Sequence, residues 1–307
     1  MSRLDGRVAV VTGASRGLGR AIALALAADG AAVAVVARTE QVWDDRLPGT
    51  IGETVARIEA GGGRAVAIRA DLIDREDRAR LVDEARAALG PITILVNNAA
   101  FTAPGRPPAP GAERDRPAAA APPSAPASSA GTDDADRTAK ATKAAKADWP
   151  GFMNTPLGAY ERHFRIGPFA VYELMQRVVP DMLDAGSGAI INITSGASRM
   201  PGEGPYPDRS GGMLPGYGGG KAALEHLTQC AAYELMDRNI AVNALAPSRA
   251  ILTPGVAYYS REFEDYAPEE DFGEAAVQLA LVDPNVVTGR VLGHEGVLDG
   301  SFRPYVR

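Results

Sequence analysis

A tyrosine and a lysine four residues apart, Tyr217 and Lys221, have side chains suited to acid–base chemistry. Residues at this spacing lie on one face of a helix, so the ammonium group can stand beside the phenol. An ordinary tyrosine has a pKa near 10, and proton transfer near pH 7 asks for a shift of roughly 3 units, about 4 kcal/mol. A neighbouring positive charge favours the phenolate. The pair therefore indicates a tyrosine that gives or takes a proton with the help of the lysine.

Ser195 follows an apolar run that is typical of a buried strand, residues 189–193. Open parallel sheets bind ligands at the carboxyl ends of their strands, which is where this serine falls. Its hydroxyl could hydrogen-bond a carbonyl or alcohol so that the ligand oxygen faces Tyr217. The alternative is that these residues are structural, Tyr217 being a partly buried helix tyrosine.

A glycine-rich turn, residues 12–19 (TGASRGLG), lies between an apolar run and a helical pattern near the start of the chain. Glycines let the backbone turn tightly and approach a pyrophosphate, and the helix that follows offers free N–H groups. The spacing is G-x-x-x-G-x-G rather than G-x-G-x-x-G. The turn predicts a dinucleotide-binding site.

The second apolar run ends at Arg38, with no acidic residue before Glu40. An acidic residue at this point would bind the 2′-hydroxyl of NAD, whereas arginines pair with a 2′-phosphate. Arg38, with Arg16 from the glycine turn, therefore favours NADP(H) over NAD(H). Ordinary surface arginines are the alternative interpretation.

Apolar runs alternate with helical patterns along most of the chain, and runs that are apolar on both faces are typical of a covered parallel sheet. We predict an α/β fold, a doubly wound, Rossmann-type sheet of seven parallel strands with helices on both faces, in a single domain spanning residues 1–307. The predicted strands are residues 8–12, 31–37, 65–68, 92–96, 189–193, 241–246 and 290–292. The predicted helices are residues 18–28, 52–60, 75–89, 157–183 with an interruption at 167–168, 217–236 and 272–281.

Residues 102–148 interrupt this alternation, since they contain no Val, Ile, Leu, Met, Phe, Tyr or Trp. A segment with so little to bury cannot offset the entropy lost on ordering. We expect a disordered, Ala/Pro-rich insertion within the domain. A regulatory or partner-binding role is the alternative.

The overall composition excludes several classes of protein. A net charge of −6 gives no general attraction to nucleic acid or anionic membranes. The one cysteine, Cys230, excludes intramolecular disulfides and cysteine-based metal clusters, and the three histidines are scattered. No apolar run approaches the ~20 residues that span a bilayer, and the N-terminus has no signal-peptide pattern. We expect a cytoplasmic protein without a metal.

Four motifs occur in order: the glycine turn, Asn97–Ala100, Ser195 and the Tyr217–Lys221 segment. Together they resemble the short-chain dehydrogenase/reductase family over the whole chain except roughly residues 102–148. The resemblance implies an NADP(H)-dependent oxidoreductase that moves a hydride between the nicotinamide and a carbonyl or secondary alcohol. It makes Ser195, Tyr217 and Lys221 catalytic, with Lys221 also holding the nicotinamide ribose. It further implies a homodimer or homotetramer built on the helices near 168–183 and 217–236.

The resemblance also assigns the cofactor contacts. Asp71 would bind the adenine amino group, or cap the next helix instead, and Pro247 would cover the nicotinamide, with Ser248 narrowing that loop. Asn97 is assigned to fixing the sheet. The full set of expected contacts is Gly13, Ser15, Arg16, Gly17, Leu18, Gly19, Arg38, Asp71, Leu72, Asn98, Ala99, Ala100, Tyr217, Lys221, Pro247 and Ser248.

One departure from the family pattern concerns proton relay. Many members have an asparagine in the long helix before strand five, and alignment on Gly167 puts Phe164 there. Either another group, with His163 as one candidate, carries the relay, or Tyr217 exchanges protons more directly. We assign residues 196–216 to a substrate-side loop. Residues 249–271 are predicted to be a lid, whose aromatic side chains favour a partly apolar substrate.

Two other functions fit the same motifs. The chain could be a catalytically weak dinucleotide-binding sensor or scaffold, although such a protein has no need of Ser195, Tyr217 and Lys221 together. A lyase or isomerase is also possible, because fold does not fix the reaction.

Overall fold

The computed structural model describes residues 2–101, 152–199, 214–259 and 265–305. The predicted insertion at 102–148, most of the predicted substrate-side loop and part of the predicted lid lie outside these residues. The apolar runs form one seven-stranded parallel sheet, as predicted, in the order β3-β2-β1-β4-β5-β6-β7. The strands are β1 (Val8–Thr12), β2 (Ala32–Ala37), β3 (Ala65–Arg69), β4 (Ile94–Asn97), β5 (Gly188–Ile193), β6 (Ile240–Ala246) and β7 (Val291–Gly293).

The helices cover both faces of the sheet, which confirms the doubly wound fold. They are α1 (Gly17–Ala28), α2 (Ile51–Ala60), α3 (Arg75–Leu89), α4 (Leu157–Phe164), α5 (Ala170–Asp184), α6 (Pro215–Leu235), α7 (Pro254–Tyr259), α8 (Glu269–Leu281) and α9 (His294–Leu298). One apolar layer packs Ile22 of α1 and Phe272 of α8 against the sheet. The opposite layer packs Leu81 of α3, Leu174 of α5 and Leu224 of α6. Burying apolar surface on both faces contributes most of the driving force for this fold.

Helix starts follow local capping chemistry. Thr50 caps α2 by accepting a hydrogen bond from the Glu53 N–H at 3.0 Å. Asp74 caps α3 by accepting from the Glu76 N–H at 2.8 Å, so the alternative that Asp71 caps this helix is wrong. Pro215 opens α6, two residues before the predicted start, because a helix loses no hydrogen bond when proline stands in its first turn.

The predicted interruption of the long helix is confirmed. A π-helical turn, Arg165–Phe169, separates α4 from α5, and Gly167 departs from helical geometry with ψ −109°. Pro168 lacks the N–H that a regular helix would use, so the chain absorbs an extra residue here. The turn and α4 both pack against α6.

The C-terminal segment was not predicted as structure. Helix α9 follows β7 directly, and Pro304 then forms an antiparallel bridge with Leu292. The Tyr305 N–H donates to the Val291 carbonyl at 2.8 Å. The chain end is thereby held against the edge strand beside the carboxyl ends of β5 and β6. Within the described residues, no helix combines the length and apolar character needed to cross a bilayer.

Candidate active site

A groove of about 300 Å³ runs along the carboxyl ends of β1 to β4. It is lined by every cofactor-binding residue predicted within the first hundred positions, namely Gly13, Ser15, Arg16, Gly17, Leu18, Gly19, Arg38, Asp71, Leu72, Asn98, Ala99 and Ala100. The remaining predicted contacts, which come from the second half of the chain, lie in neighbouring cavities.

The glycine turn is fastened to the end of β4. Gly13 has φ +67°, and a Cβ there would lie 2.8 Å from Asn98 Nδ2 and 2.9 Å from the Ala99 Cα. Asn98 Nδ2 donates to the Thr12 carbonyl at 2.9 Å. Helix α1 begins just beyond, and no side chain caps it. Its free N–H groups and the positive end of its dipole suit a pyrophosphate.

Two arginines, Arg16 and Arg38, line the end of the groove beside β2. Arg16 donates to Thr39 Oγ1 and to the Gly49 carbonyl, each at 3.2 Å, and burial lowers the pKa of its guanidinium. A cation held by neutral groups gains from an anionic ligand. Arg38 is half exposed and stands 3.6 Å from the Asp71 carboxylate, a contact too exposed to contribute much. Two guanidinium groups therefore lie at this end of the groove.

Asp71 and Asn97 each hold their surroundings in place. The Asp71 carboxylate accepts from the Ile73 N–H at 3.1 Å and remains at the groove. Asn97 Nδ2 donates to Asn192 Oδ1 at 2.8 Å, and Asn192 Nδ2 donates to Thr228 Oγ1 at 2.9 Å. This buried chain links β4, β5 and α6, so it fixes the helix that carries the tyrosine to the sheet.

The fold brings Ser195, Tyr217 and Lys221 together. Ser195 comes from the end of β5, whereas Tyr217 and Lys221 lie one turn apart on α6. The Ser195 hydroxyl interacts with the Tyr217 phenol closely enough to favour the phenolate against the effect of burial. The Lys221 Nζ lies 5.7 Å from the centre of the Tyr217 ring and donates to the Ile193 carbonyl. This arrangement places a proton donor, a hydroxyl and a cation around one point.

Burial controls the acidity of the catalytic corner, which is formed by Ser195, Tyr217, Lys221 and the neighbouring His163. It lowers the pKa of Lys221 to about 8, with the Glu225 carboxylate opposing the shift. It raises the pKa of Tyr217, and the contact with Ser195 offsets only part of that rise. In the protein alone, this shift is opposite in direction to the one that proton transfer near pH 7 asks for. Desolvation disfavours the phenolate here by more than its polar neighbours favour it.

His163 stands behind the tyrosine, in the region where the relay asparagine is missing. Its ring lies 6.0 Å from the Tyr217 ring and 5.0 Å from Phe101, both edge-on. Burial, and then the charge of Lys221, lower the His163 pKa to about 4, so the ring is neutral near pH 7. Phe164, at the expected asparagine position, packs on Tyr160 instead. A cavity of about 20 Å³ between His163, Tyr217 and Lys221 is large enough for one water.

A second cleft, about 630 Å³, opens on the other side of Ser195. Pro247 and Ser248 line it, as does the C-terminal segment through Tyr305. The Ser248 N–H donates to His294 Nδ1 at 2.8 Å, and its side chain packs on Gly293. Ser248 thus holds its loop against β7. Burial lowers the pKa of His294, which keeps this nitrogen an acceptor.

Several groove residues escaped the sequence analysis. Trp43 and Leu47, from the long loop between β2 and α2, line the groove near Arg16 and Arg38. Thr253 and Gly255, from the predicted lid, also line it. Their one signal was a tryptophan in a polar, proline-containing loop (QVWDDRLPG, residues 41–49). Loops that carry function often lack periodicity, and motif reasoning therefore passes over them.

Comparisons with known proteins agree with this geometry. A family model described as short chain dehydrogenase matches residues 7–114 and 144–262. An uncharacterized oxidoreductase of Mycobacterium tuberculosis is 32% identical over 97% of this chain and 94% of its own. A 7α-hydroxysteroid dehydrogenase structure, complexed with NADH and 7-oxo glycochenodeoxycholic acid, is 26% identical, with a TM-score of 0.67, and covers 95% of this chain and 93% of its own.

A Beutenbergia cavernae protein, provisionally assigned as an NAD(P)-dependent gluconate 5-dehydrogenase with NADP bound at low occupancy, has the same TM-score, 0.67. It is 28% identical and covers 96% of this chain and 98% of its own. The family model, the relatives and the folded site point the same way. The chain belongs to the short-chain dehydrogenase/reductase family, and it is an NAD(P)-dependent oxidoreductase that acts on CH–OH groups.

Proposed function

We propose that this protein moves a hydride between NADP(H) and a carbonyl or secondary alcohol, with Tyr217 as the acid and base. The observation that carries the proposal is the meeting of Ser195, Tyr217 and the buried Lys221, whose Nζ lies 5.7 Å from the centre of the Tyr217 ring. These groups lie between a groove suited to a dinucleotide and a second, open cleft. Gly13 has no room for a Cβ because the turn packs directly on Asn98 and Ala99, which fixes the turn ahead of the uncapped start of α1.

A bound nicotinamide would supply the hydride to the carbonyl carbon in reduction and accept it in oxidation. In reduction, the Tyr217 hydroxyl gives its proton to the carbonyl oxygen, and the C–O double bond becomes a C–O–H group. The raised pKa of Tyr217 keeps the hydroxyl protonated near pH 7, as this step requires. Ser195 would hydrogen-bond the same oxygen, and Lys221 would stabilise the phenolate that remains.

The preference for NADP(H) rests on Arg16 and Arg38 at the end of the groove beside β2. We expect NADPH to bind at least tenfold more tightly than NADH, about 1.4 kcal/mol. Titration of each cofactor, followed by its fluorescence, measures this ratio. Equal affinities would remove the argument from the two arginines and leave the family assignment intact.

For the substrate, we infer a partly apolar carbonyl or alcohol. The similar 7α-hydroxysteroid dehydrogenase was solved with 7-oxo glycochenodeoxycholic acid, so that ketone is the first probe. The assay follows NADPH absorbance with this ketone and with cyclic and linear ketones and aldehydes. We expect turnover of at least one. A protein that binds NADPH tightly and turns over none of a broad panel would support the binding-only alternative.

We also propose a homodimer or homotetramer. Helices α5 and α6 leave large apolar side chains exposed, among them Phe169 just before α5, Tyr172 and Tyr233. Exposed apolar surface of this kind is typical of a protein interface. Light scattering at micromolar concentration should give at least twice the 32.0 kDa chain mass. A monomer would contradict this proposal.

A further inference from the structure

One carboxylate accepts hydrogen bonds from both sides of the turn that carries Ser195. Glu225 lies on α6, one turn after Lys221, and does not line the groove or the cleft. Its Oε1 accepts hydrogen bonds from Thr194 Oγ1 at 2.6 Å and from Ser198 Oγ at 2.7 Å. These hydroxyls belong to the residue before Ser195 and to the third residue after it. The carboxylate therefore links the segment that bears the serine to the helix that bears the tyrosine.

The segment between these two contacts is a tight turn. The Ser198 N–H donates to the Ser195 carbonyl at 3.0 Å, and the Ala197 N–H donates to Ser195 Oγ at 3.3 Å. Helix α6 runs close to it, since a Cβ on Gly218 would clash with the Ala197 carbonyl oxygen. Small displacements of the turn would therefore change the distance between the Ser195 and Tyr217 hydroxyls.

We propose that Glu225 is a positioning residue that sets the Ser195–Tyr217 geometry by anchoring both flanks of the serine to α6. The inference rests on the proposed function, since it assigns a supporting residue to the same proton transfer. An apolar side chain at 225 would leave the buried Thr194 hydroxyl without this acceptor, which is costly, whereas the Ser198 hydroxyl would keep the Ser195 carbonyl as an acceptor at 2.8 Å. Among the described residues, the remaining ties between this segment and α6 would be the Lys221 hydrogen bond to the Ile193 carbonyl, the Ser195–Tyr217 contact and packing.

The charge of Glu225 has a separate consequence. Its carboxylate opposes the lowering of the Lys221 pKa by burial. Among the residues that the structure describes, the other titratable groups that face Lys221 are Tyr217 on the same helix and His163 on α4, and His163 is neutral near pH 7. Removing the negative charge should therefore move the loss of the Lys221 proton to lower pH.

Two variants separate the hydrogen bonds that Glu225 accepts from the effect of its negative charge. Glu225→Gln keeps an oxygen that can accept both hydroxyls, whereas Glu225→Ala removes it. With the fastest-reduced ketone of the panel, we expect Glu225→Ala to lower kcat at least tenfold and to change the KM for NADPH less than threefold. We expect Glu225→Gln to keep kcat at pH 6.5 within threefold. We also expect the rate of this variant to begin its fall at a lower pH than the rate of the wild type.

Controls and structure-only readouts complete the test. Glu234→Gln on the exposed side of the same helix should change neither kcat nor the pH profile. If Glu225→Ala does not fold, Thr194→Val and Ser198→Ala each remove one anchoring contact and should each lower kcat. Amide hydrogen exchange at residues 196–199 should rise at least tenfold in Glu225→Ala, a result that needs no substrate.

Unchanged kcat together with unchanged exchange in Glu225→Ala would overturn the proposal. Equal losses of kcat in Glu225→Gln and Glu225→Ala would also overturn it, because the anchor would then not explain the effect. A failure of the proposed function has a different signature, namely a wild type that turns over no ketone. In that case the exchange measurement still tests the anchor.

Discussion

The dinucleotide groove and the catalytic corner are built in different ways. The groove is formed at the ends of four neighbouring strands around the glycine turn, which Asn98 fastens to β4, and two arginines line it. The corner is formed by side chains from β5, α4 and α6 that meet in a buried place. The groove depends on backbone shape and on exposed or half-buried arginines, whereas the corner depends on polar groups that are buried. Substitutions in the two regions should accordingly affect different measurements.

The largest expected effect comes from Lys221→Met, which removes the cation of the corner and an assigned contact to the nicotinamide ribose. We expect kcat to fall by ~10²–10⁴, the usual contribution of acid–base groups, and NADPH binding to weaken as well. Steady-state rates and fluorescence titration measure the two effects separately. A loss of rate with unchanged binding would show that Lys221 serves the corner alone.

Arg38→Asp should act on the groove alone. An acidic side chain repels the 2′-phosphate and suits the 2′-hydroxyl of NAD, so the ratio of NADPH to NADH affinity should fall at least tenfold. The kcat at saturating cofactor should stay within about threefold. Arg57→Asp, on the exposed face of α2, introduces the same charge change as a control. An unchanged cofactor ratio in Arg38→Asp would contradict the assignment.

The pH dependence of catalysis should report the corner. Because burial lowers the Lys221 pKa to about 8, the free enzyme loses this charge as the pH rises through that value. We expect kcat/KM to fall about tenfold for each pH unit above it, since kcat/KM reports groups of the free enzyme. This fall of kcat/KM at high pH should be absent in Lys221→Met. A profile that stays flat to pH 10 would contradict a role for the ammonium.

The smallest effect concerns stability in acid. Burial lowers the His163 pKa from 6.5 to about 4, so below pH 6.5 the unfolded chain binds a proton that the folded chain refuses. The free energy of unfolding should therefore fall between pH 6.5 and 4. His163→Phe keeps a ring at this position and should reduce the drop in Tm, where 1 kcal/mol corresponds to about 2–4 °C. His226→Phe, exposed on α6, is the control.

Most of the fold could be predicted from the sequence because its strands are apolar on both faces and its helices end at recognisable signals. The break at Gly167-Pro168 was predicted for the same reason, since proline removes a helix hydrogen bond. Helix α9 and the bridge of Pro304 to Leu292 could not be predicted. They are short elements whose position depends on packing against β7 rather than on periodicity.

Within the site, local motifs were predictable and distant contacts were not. The glycine turn and the Tyr217–Lys221 pair are each contained in a few residues. Glu225 carried no motif, because its contacts with Thr194 and Ser198 span about 30 positions of the chain. The direction of the Tyr217 pKa shift was also beyond the sequence, since it depends on how deeply the corner is buried.

The most direct test of the account is the rate of NADPH oxidation by Tyr217→Phe with a ketone that the wild type reduces. The substitution removes one hydroxyl and leaves the ring in place. The account predicts a kcat lower by ~10²–10⁴, with an NADPH dissociation constant within about twofold of the wild type. A variant that keeps near-full activity would contradict proton transfer by Tyr217 and, with it, the central claim.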